Sequence, residues 1–325
     1  MVRGKHMALH YRHMGSDDVR ECVEIVKAHP VLGPRYGSGI TDLRNVWLSL
    51  LGREAFRAVV FEDAKDSQVR RVGAGVSVFV SDDFLAELKT PPFFWIGPEL
   101  IKRIIRGDSP LLSDKEVRQG NANAGLNLMV WEGSFLSVYS NCIEAHTKMF
   151  AAFAEQHRGF ALKELVGQPA NLDVLEGTIR SGGSLLGATD GRYLEFPDKP
   201  LNEIIKRPFV VGVTRELAAA RMGTWMASLF VYQPPHFGFR PSEQRLLLAA
   251  LQGGTDKDLA DTLGISLSAV KKTWRSIYGR VTADDSGLVP NQLWEESTSE
   301  RGKEKKQRLL AYLREHPEEV RPASP

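Results

Sequence analysis

The sequence predicts an α+β chain: a mixed α/β domain over residues 1–232, then a small all-α module over residues 239–281. Three observations carry this. Short runs of β-branched and aromatic residues alternate with segments of three- and four-residue apolar spacing as far as Tyr232. The stretch Gln233-Pro234-Pro235-His236-Phe237-Gly238 then interrupts any regular element, because paired prolines lack amide donors. Beyond it, three short segments each carry a helix start and a helix stop.

Within the first region, strands are expected at Leu9 to Met14, Arg57 to Glu62, Val69 to Val80, Leu126 to Trp131 and Trp225 to Tyr232. Helices are expected at Asp17 to Ala28, Asp42 to Leu51, Pro98 to Ile105, Cys142 to His157 and Asn171 to Leu185. The run Arg71-Val72-Gly73-Ala74-Gly75 lies inside a strand and reads as a bulge. Residues 282–325 read as an acidic connector followed by a short basic helix that places Leu309 and Leu313 on one face.

Composition narrows the function. With 42% apolar residues the chain can bury a core, and no apolar run approaches the roughly 20 residues of a membrane helix. No secretory leader pattern opens the chain, so a cytoplasmic location without membrane contact is expected. Cys22 and Cys142 are far apart, which suggests neither a disulfide framework nor a zinc module. Among the histidines, His10 and His13 sit in an extended segment and His146 and His157 are eleven apart, so no metal or other cofactor is expected. The net charge of +2 is small, but residues 239–281 carry seven basic and four acidic side chains. A local basic face is therefore available to an anionic partner.

In the small module, Pro241 stands at a first helical position and Glu243 can reach back to the Arg240 amide. Thr255 and Asp258 form a Thr-x-x-Asp capping box. Gly264-Ile265-Ser266 makes a tight turn into a third helix. On that helix, at about 100° per residue, Val270, Trp274, Ile277 and Val281 form one apolar stripe. Ser268, Lys271, Lys272, Arg275 and Gly279 lie opposite. This is helix-turn-helix grammar, with a third helix suited to the major groove.

The stretch resembles the LuxR/GerE family through Glu243, Gly253, Thr255, Lys257, Asp258, Leu259, Ala260, Leu263, Ile265, Ser266, Val270, Lys271 and Ile277. It departs from that family at Arg240, Ser242, Gly254, Ala269, Thr273 and Gly279. The resemblance implies an all-α helix-turn-helix domain of LuxR/GerE type, with Thr255 and Lys257 on phosphates and Lys271 at the groove. The DNA-binding set expected from the resemblance and the helix wheel is Thr255, Lys257, Ser268, Lys271, Lys272 and Arg275. The corresponding function is a cytoplasmic transcription regulator, not an enzyme, with double-stranded DNA as partner and a homodimer as the assembly.

For the first region three readings compete. A phosphorylated receiver would draw on Asp17, Asp18, Asp63 and Lys102, although a helix cap and a turn explain the aspartates better. The order of strands and helices resembles the acetyltransferase GNAT fold, the alternative function. That resemblance implies a phosphate-cradling turn after the fourth strand, where Trp131-Glu132-Gly133-Ser134-Phe135-Leu136 offers one glycine and an acidic residue. The third reading is a PAS- or GAF-like sensory domain taking a small-molecule effector among Phe93, Phe94, Trp95, Trp131, Phe135 and Trp225. A sensory-type domain ahead of the helix-turn-helix is the sequence-based expectation.

Overall fold

The computed structural model describes residues 9–65, 68–140, 142–186, 206–284, 288 and 299–322. The chain divides into two compact units, Met1–Val231 and Tyr232–Pro325.

The first unit is built on strands β1 (Leu9–His13), β2 (Phe56–Lys65), β3 (Gln68–Val80), β4 (Leu126–Phe135), β5 (Leu162–Gly167), β6 (Ser184–Leu186) and β7 (Val210–Thr214). They form one sheet in the order β1-β2-β3-β4-β5-β7-β6. Every pairing is antiparallel except β4 with β5. Its helices are α1 (Val19–Ala28), α2 (Leu32–Tyr36), α3 (Leu43–Leu50), α4 (Asp82–Leu88), α5 (Ile96–Arg106), α6 (Asp114–Gln119), α7 (Ile143–His157), α8 (Leu172–Arg180), α9 (Arg215–Ala220) and α10 (Trp225–Ser228).

Both faces of the sheet are covered. On one, Ala58, Val60, Ala74, Val78 and Leu128 meet Val26 of α1, Trp47 of α3 and Leu100 of α5. On the other, Val59, Phe61, Val72 and Phe135 meet Ala145, Ala152 and Met149 of α7. Two bulges change which residues face which layer. Val72 and Ala74 share a parity yet face opposite layers, because the β2–β3 register shifts between Phe61 and Glu62 and leaves Val72 as the extra residue. That bulge lies in the run where the glycines imply one.

Two sequence expectations are corrected. Trp225 to Tyr232 does not form a strand: Thr224 accepts a hydrogen bond from the Ala227 amide and caps α10 instead. The helix from Asn171 stops at Arg180, because Gly182 takes φ +109 and turns the chain into β6.

The second unit contains α11 (Pro241–Leu251), α12 (Asp256–Leu263), α13 (Leu267–Asp284) and α14 (Ser299–Glu315). Glu243 accepts from the Arg240 amide at 2.8 Å, Asp258 accepts from the Thr255 amide at 2.7 Å, and Gly264 takes φ +62. Val270, Trp274, Ile277 and Val281 are buried, as the helix wheel places them. The C-terminal segment is more than an appendage: Leu309, Leu310 and Leu313 pack into the same core, and Glu319 accepts from the amides of His236 and Phe237. The expected connector falls largely outside the described residues.

Candidate active site

The single parallel pair fixes the site. Pairing of β4 with β5 runs from Leu126↔Leu162 to Met129↔Val166 and ends there, while β4 continues to Phe135 against β3 alone. The two strands thus part in a fork that leaves Val130–Phe135 without a β5 partner. At the fork β4 carries its bulge: Glu132 pairs with Val76 and Val130 with Ser77, leaving Trp131 as the extra residue. Trp131 consequently turns away from α7 and packs edge-on to Trp47 and Phe56.

This places Glu132 among buried aromatic groups. Its side chain accepts a hydrogen bond from the Tyr36 hydroxyl, and Trp131 Nε1 donates to the same hydroxyl at 3.1 Å. Glu132 is 4% exposed, and its Oε2 has no hydrogen-bond donor among the described residues. Burial raises the carboxyl to about 7, against the lowering effects of Tyr36 and Arg35. Burial and the adjacent Glu132 also push the Tyr36 hydroxyl well above its ordinary range. A carboxyl half-protonated near neutral pH is matched to proton transfer.

The surroundings hold this pair in place. Tyr36 approaches α5 closely because residue 97 is glycine; a Cβ there would lie 2.5 Å from the Tyr36 hydroxyl oxygen. Arg35 stacks on Trp95 with its guanidinium carbon 3.8 Å from the ring centroid, and donates to the carbonyls of Gln168 and Pro169 just beyond β5. Burial holds its guanidinium down at about 10. Gln168 in turn accepts from the Ile96 amide and donates to the Phe94 carbonyl. One wall of the fork is therefore tied to α2 and α5.

The turn between β4 and α7 differs from the sequence-based placement. β4 extends to Phe135, so the turn spans residues 136–142. The amides of Leu136, Tyr139, Ser140 and Cys142 donate to the carbonyls of Val72, Leu136, Ser137 and Tyr139. These four amides are engaged by backbone carbonyls, and Glu144 adds negative charge to the first turn of α7, so this turn is poorly suited to cradling a phosphate.

The other candidates fall elsewhere. Thr255, Lys257, Ser268, Lys271, Lys272 and Arg275 are all exposed side chains of the second unit, with Thr255 engaged by Asp258 and Ser268 by Ser266. Asp18 accepts from Arg12, Arg71 and the Gly15 amide, and its side chain makes no cap hydrogen bond to α1. The six aromatics proposed for an effector pocket do not converge: Phe135 packs on Phe61, Phe94 on Phe84, and Trp225 on Phe150. No group of three metal-ligating side chains occurs among the described residues. No helix among them is long and apolar enough to cross a membrane. Sequence reasoning met Glu132 only as an acidic obstacle; an acidic residue beside two bulky apolar neighbours, Val130 and Trp131, was the available signal.

No protein-family model and no curated protein matches the chain. Solved structures do. A GNAT-family acetyltransferase from Staphylococcus aureus Mu50 matches at 8% identity and TM-score 0.35, over 64% of this chain and 99% of that one. A GNAT-family acetyltransferase from Brucella melitensis, solved with acetyl-CoA, matches at 15% identity and TM-score 0.32, over 58% and 94%. An N-acyl amino acid synthase from uncultured soil microbes matches at 11% identity and TM-score 0.35, over 70% and 99%. These matches correct the expectation of a LuxR/GerE-type transcription regulator that is no enzyme and has DNA as its partner. These three solved structures are described as two acetyltransferases and an N-acyl amino acid synthase, one of them in complex with acetyl-CoA; an uncharacterized protein from Bacillus halodurans also matches, at 12% identity and TM-score 0.36 over 69% of this chain and 93% of that one. The coarser fold statement stands: a mixed α/β unit on a seven-stranded sheet, with helices following it.

Proposed function

We propose that the first unit is a GNAT-type acyltransferase, which moves an acyl group from a thioester of the acyl-CoA kind to an amine. The observation that carries this reading is the buried Glu132, raised to about 7, at the bulge where β4 leaves β5. An exposed strand edge accepts an extended, amide-bearing chain as it would another strand. The pantetheine arm of a CoA thioester is such a chain, and Val130–Phe135 has no β5 strand paired to it, although of its residues only Gly133 is exposed.

In this reading the amine enters from the α2 and α5 side, where Tyr36 and Glu132 lie. The amine nitrogen attacks the thioester carbonyl, the carbon–sulfur bond breaks, and the thiolate leaves and is protonated. The proton lost by the nitrogen passes through the Tyr36 hydroxyl to Glu132. Arg35 and Gln168 tie the end of β5 to α2 and α5 and so set the width of the fork.

The experiment is thiol release from acetyl- and butyryl-CoA with a panel of amino acids and polyamines, alongside calorimetric titration of each ester. Saturable, amine-dependent release supports the reading. Absence of both binding and release for every ester would contradict it.

A further inference from the structure

A second space adjoins the fork on the opposite face of the sheet. It is a cavity of about 60 Å³ between β2, β3, β4 and α7, and it shares Val130 and Glu132 with the fork. Its wall is almost entirely carbon. Two of its polar groups are turned onto one another: Ser77 Oγ donates to His157 Nε2 at 2.6 Å, while His157 Nδ1–H donates to the Phe153 carbonyl at 2.7 Å; Arg57 Nε, Gln156 Oε1 and Glu132 Oε2, on the same lining, are buried and have no hydrogen-bond partner among the described residues.

The space exists because two glycines face each other across the strands. Gly75 and Gly133 are cross-strand partners beneath Met149. Neither has a positive φ, so the backbone does not require glycine at either position. A Cβ on Gly133 would sit 3.5 Å from Met149 Sδ, an ordinary contact, so close packing does not require glycine there either. What glycine preserves at 133 is room. The space is open to solvent at Gly133, and its nearly all-carbon wall favours hydrocarbon over water.

We infer that this cavity receives the acyl chain of the donor and sets its length. The inference rests on the acyltransferase reading above, and it assigns the donor as a short straight-chain thioester longer than acetyl. A water-sized group needs roughly 10–15 Å³ by this measure, so the space of about 60 Å³ holds roughly four to six such groups, room for a short chain such as the three carbons of butyryl beyond its carbonyl. A thioester lying along the open edge of β4 places its acyl carbons beside Val130, at the boundary the fork and cavity share.

The test is calorimetric titration of the full chain with acetyl-, butyryl- and decanoyl-CoA, repeated on Gly133→Ala and Met149→Ala. Wild-type protein should bind butyryl-CoA about tenfold more tightly than acetyl-CoA, the value of two buried methylene groups, and gain nothing further from decanoyl. Gly133→Ala fills the space and should reduce that preference to about twofold or less. Met149→Ala removes the roof and should shift the preference toward decanoyl. Equal affinity for acetyl and butyryl esters in wild type, or a preference untouched by both substitutions, overturns the inference while leaving the acyltransferase reading intact. Failure of every ester to bind overturns both.

Discussion

The Tyr36 hydroxyl donates a hydrogen bond to the Glu132 carboxylate, joining α2 to the bulge of β4 across 96 positions of sequence. Because Glu132 is buried and raised to about 7 from an ordinary 4.5, its ionisation opposes folding. A group whose folded value is raised contributes its stability fully below 4.5 and loses it as pH rises through about 7. Wild-type protein should therefore lose stability relative to Glu132→Gln between these limits, by roughly 3 kcal/mol in total. Denaturant melts of both proteins from pH 4 to pH 8 measure this, and parallel curves would show that Glu132 ionises without cost.

Gly97 has a consequence that can be tested separately. Gly97→Ala drives a methyl group into the Tyr36 ring, with a Cβ 2.5 Å from its hydroxyl oxygen. The expected cost is roughly 1–3 kcal/mol, with Tyr36 displaced from Glu132 and Trp131. Thermal melting reports the first effect. A shift in tryptophan emission reports the second, because Trp131 loses its hydrogen bond to Tyr36.

Asp18 behaves in the opposite sense. Burial tends to raise its carboxyl, but hydrogen bonds from Arg12, the Gly15 amide and Arg71 outweigh burial and hold it well below the ordinary 3.8. Its stabilisation is present above 3.8 and is lost as pH falls through the depressed value. Asp18→Asn should destabilise the chain by roughly 3 kcal/mol at pH 7, because two arginines then lose their buried partner. The gap between wild type and variant should narrow in strong acid, and a gap independent of pH would remove the electrostatic explanation.

How much of this was legible in sequence depends on how local each feature is. The caps at Thr255, Asp258 and Gly264 involve neighbours along the chain, and so did the apolar stripe of Val270, Trp274, Ile277 and Val281; both were readable. Strands β1 to β4 were readable from their β-branched runs, and the bulge at Val72 from its glycines, whereas β5, β6 and β7 were not placed and Trp225 to Tyr232, a helical turn in the structure, was read as a strand. The fork was not. It depends on the register of β3 against β4 and on where β5 stops, and neither leaves a local mark. Placing the end of β4 at Trp131 moved Glu132 out of the strand and made it an obstacle to phosphate. In the structure Gly133, Ser134 and Phe135 continue the strand beneath α7, and Glu132 becomes the buried partner of Tyr36. A 43-residue resemblance at the C-terminal end also weighed more than the strand order of the larger unit, which is where the candidate chemistry lies.

The turn before α7 bears on how a donor is recognised. Its engaged amides and the nearby Glu144 offer little to a diphosphate. An acylated N-acetylcysteamine, which keeps the thioester and one amide but lacks the nucleotide, should therefore be used with a kcat/KM about tenfold or less below that of the CoA ester. A loss of several thousandfold would mean that phosphate contacts outside this turn carry most of the donor's binding.

The central claim is that Glu132 takes the proton released when an amine attacks the donor thioester. Single-turnover acyl transfer, followed at saturating butyryl-CoA for wild type and Glu132→Gln, tests it most directly. The wild-type rate should rise with pH through about 7 and then level. Glu132→Gln should bind the ester as wild type does, transfer roughly 10²- to 10⁴-fold more slowly and lose that pH step. A variant that transfers at the wild-type rate with the same pH profile would contradict the assignment of Glu132.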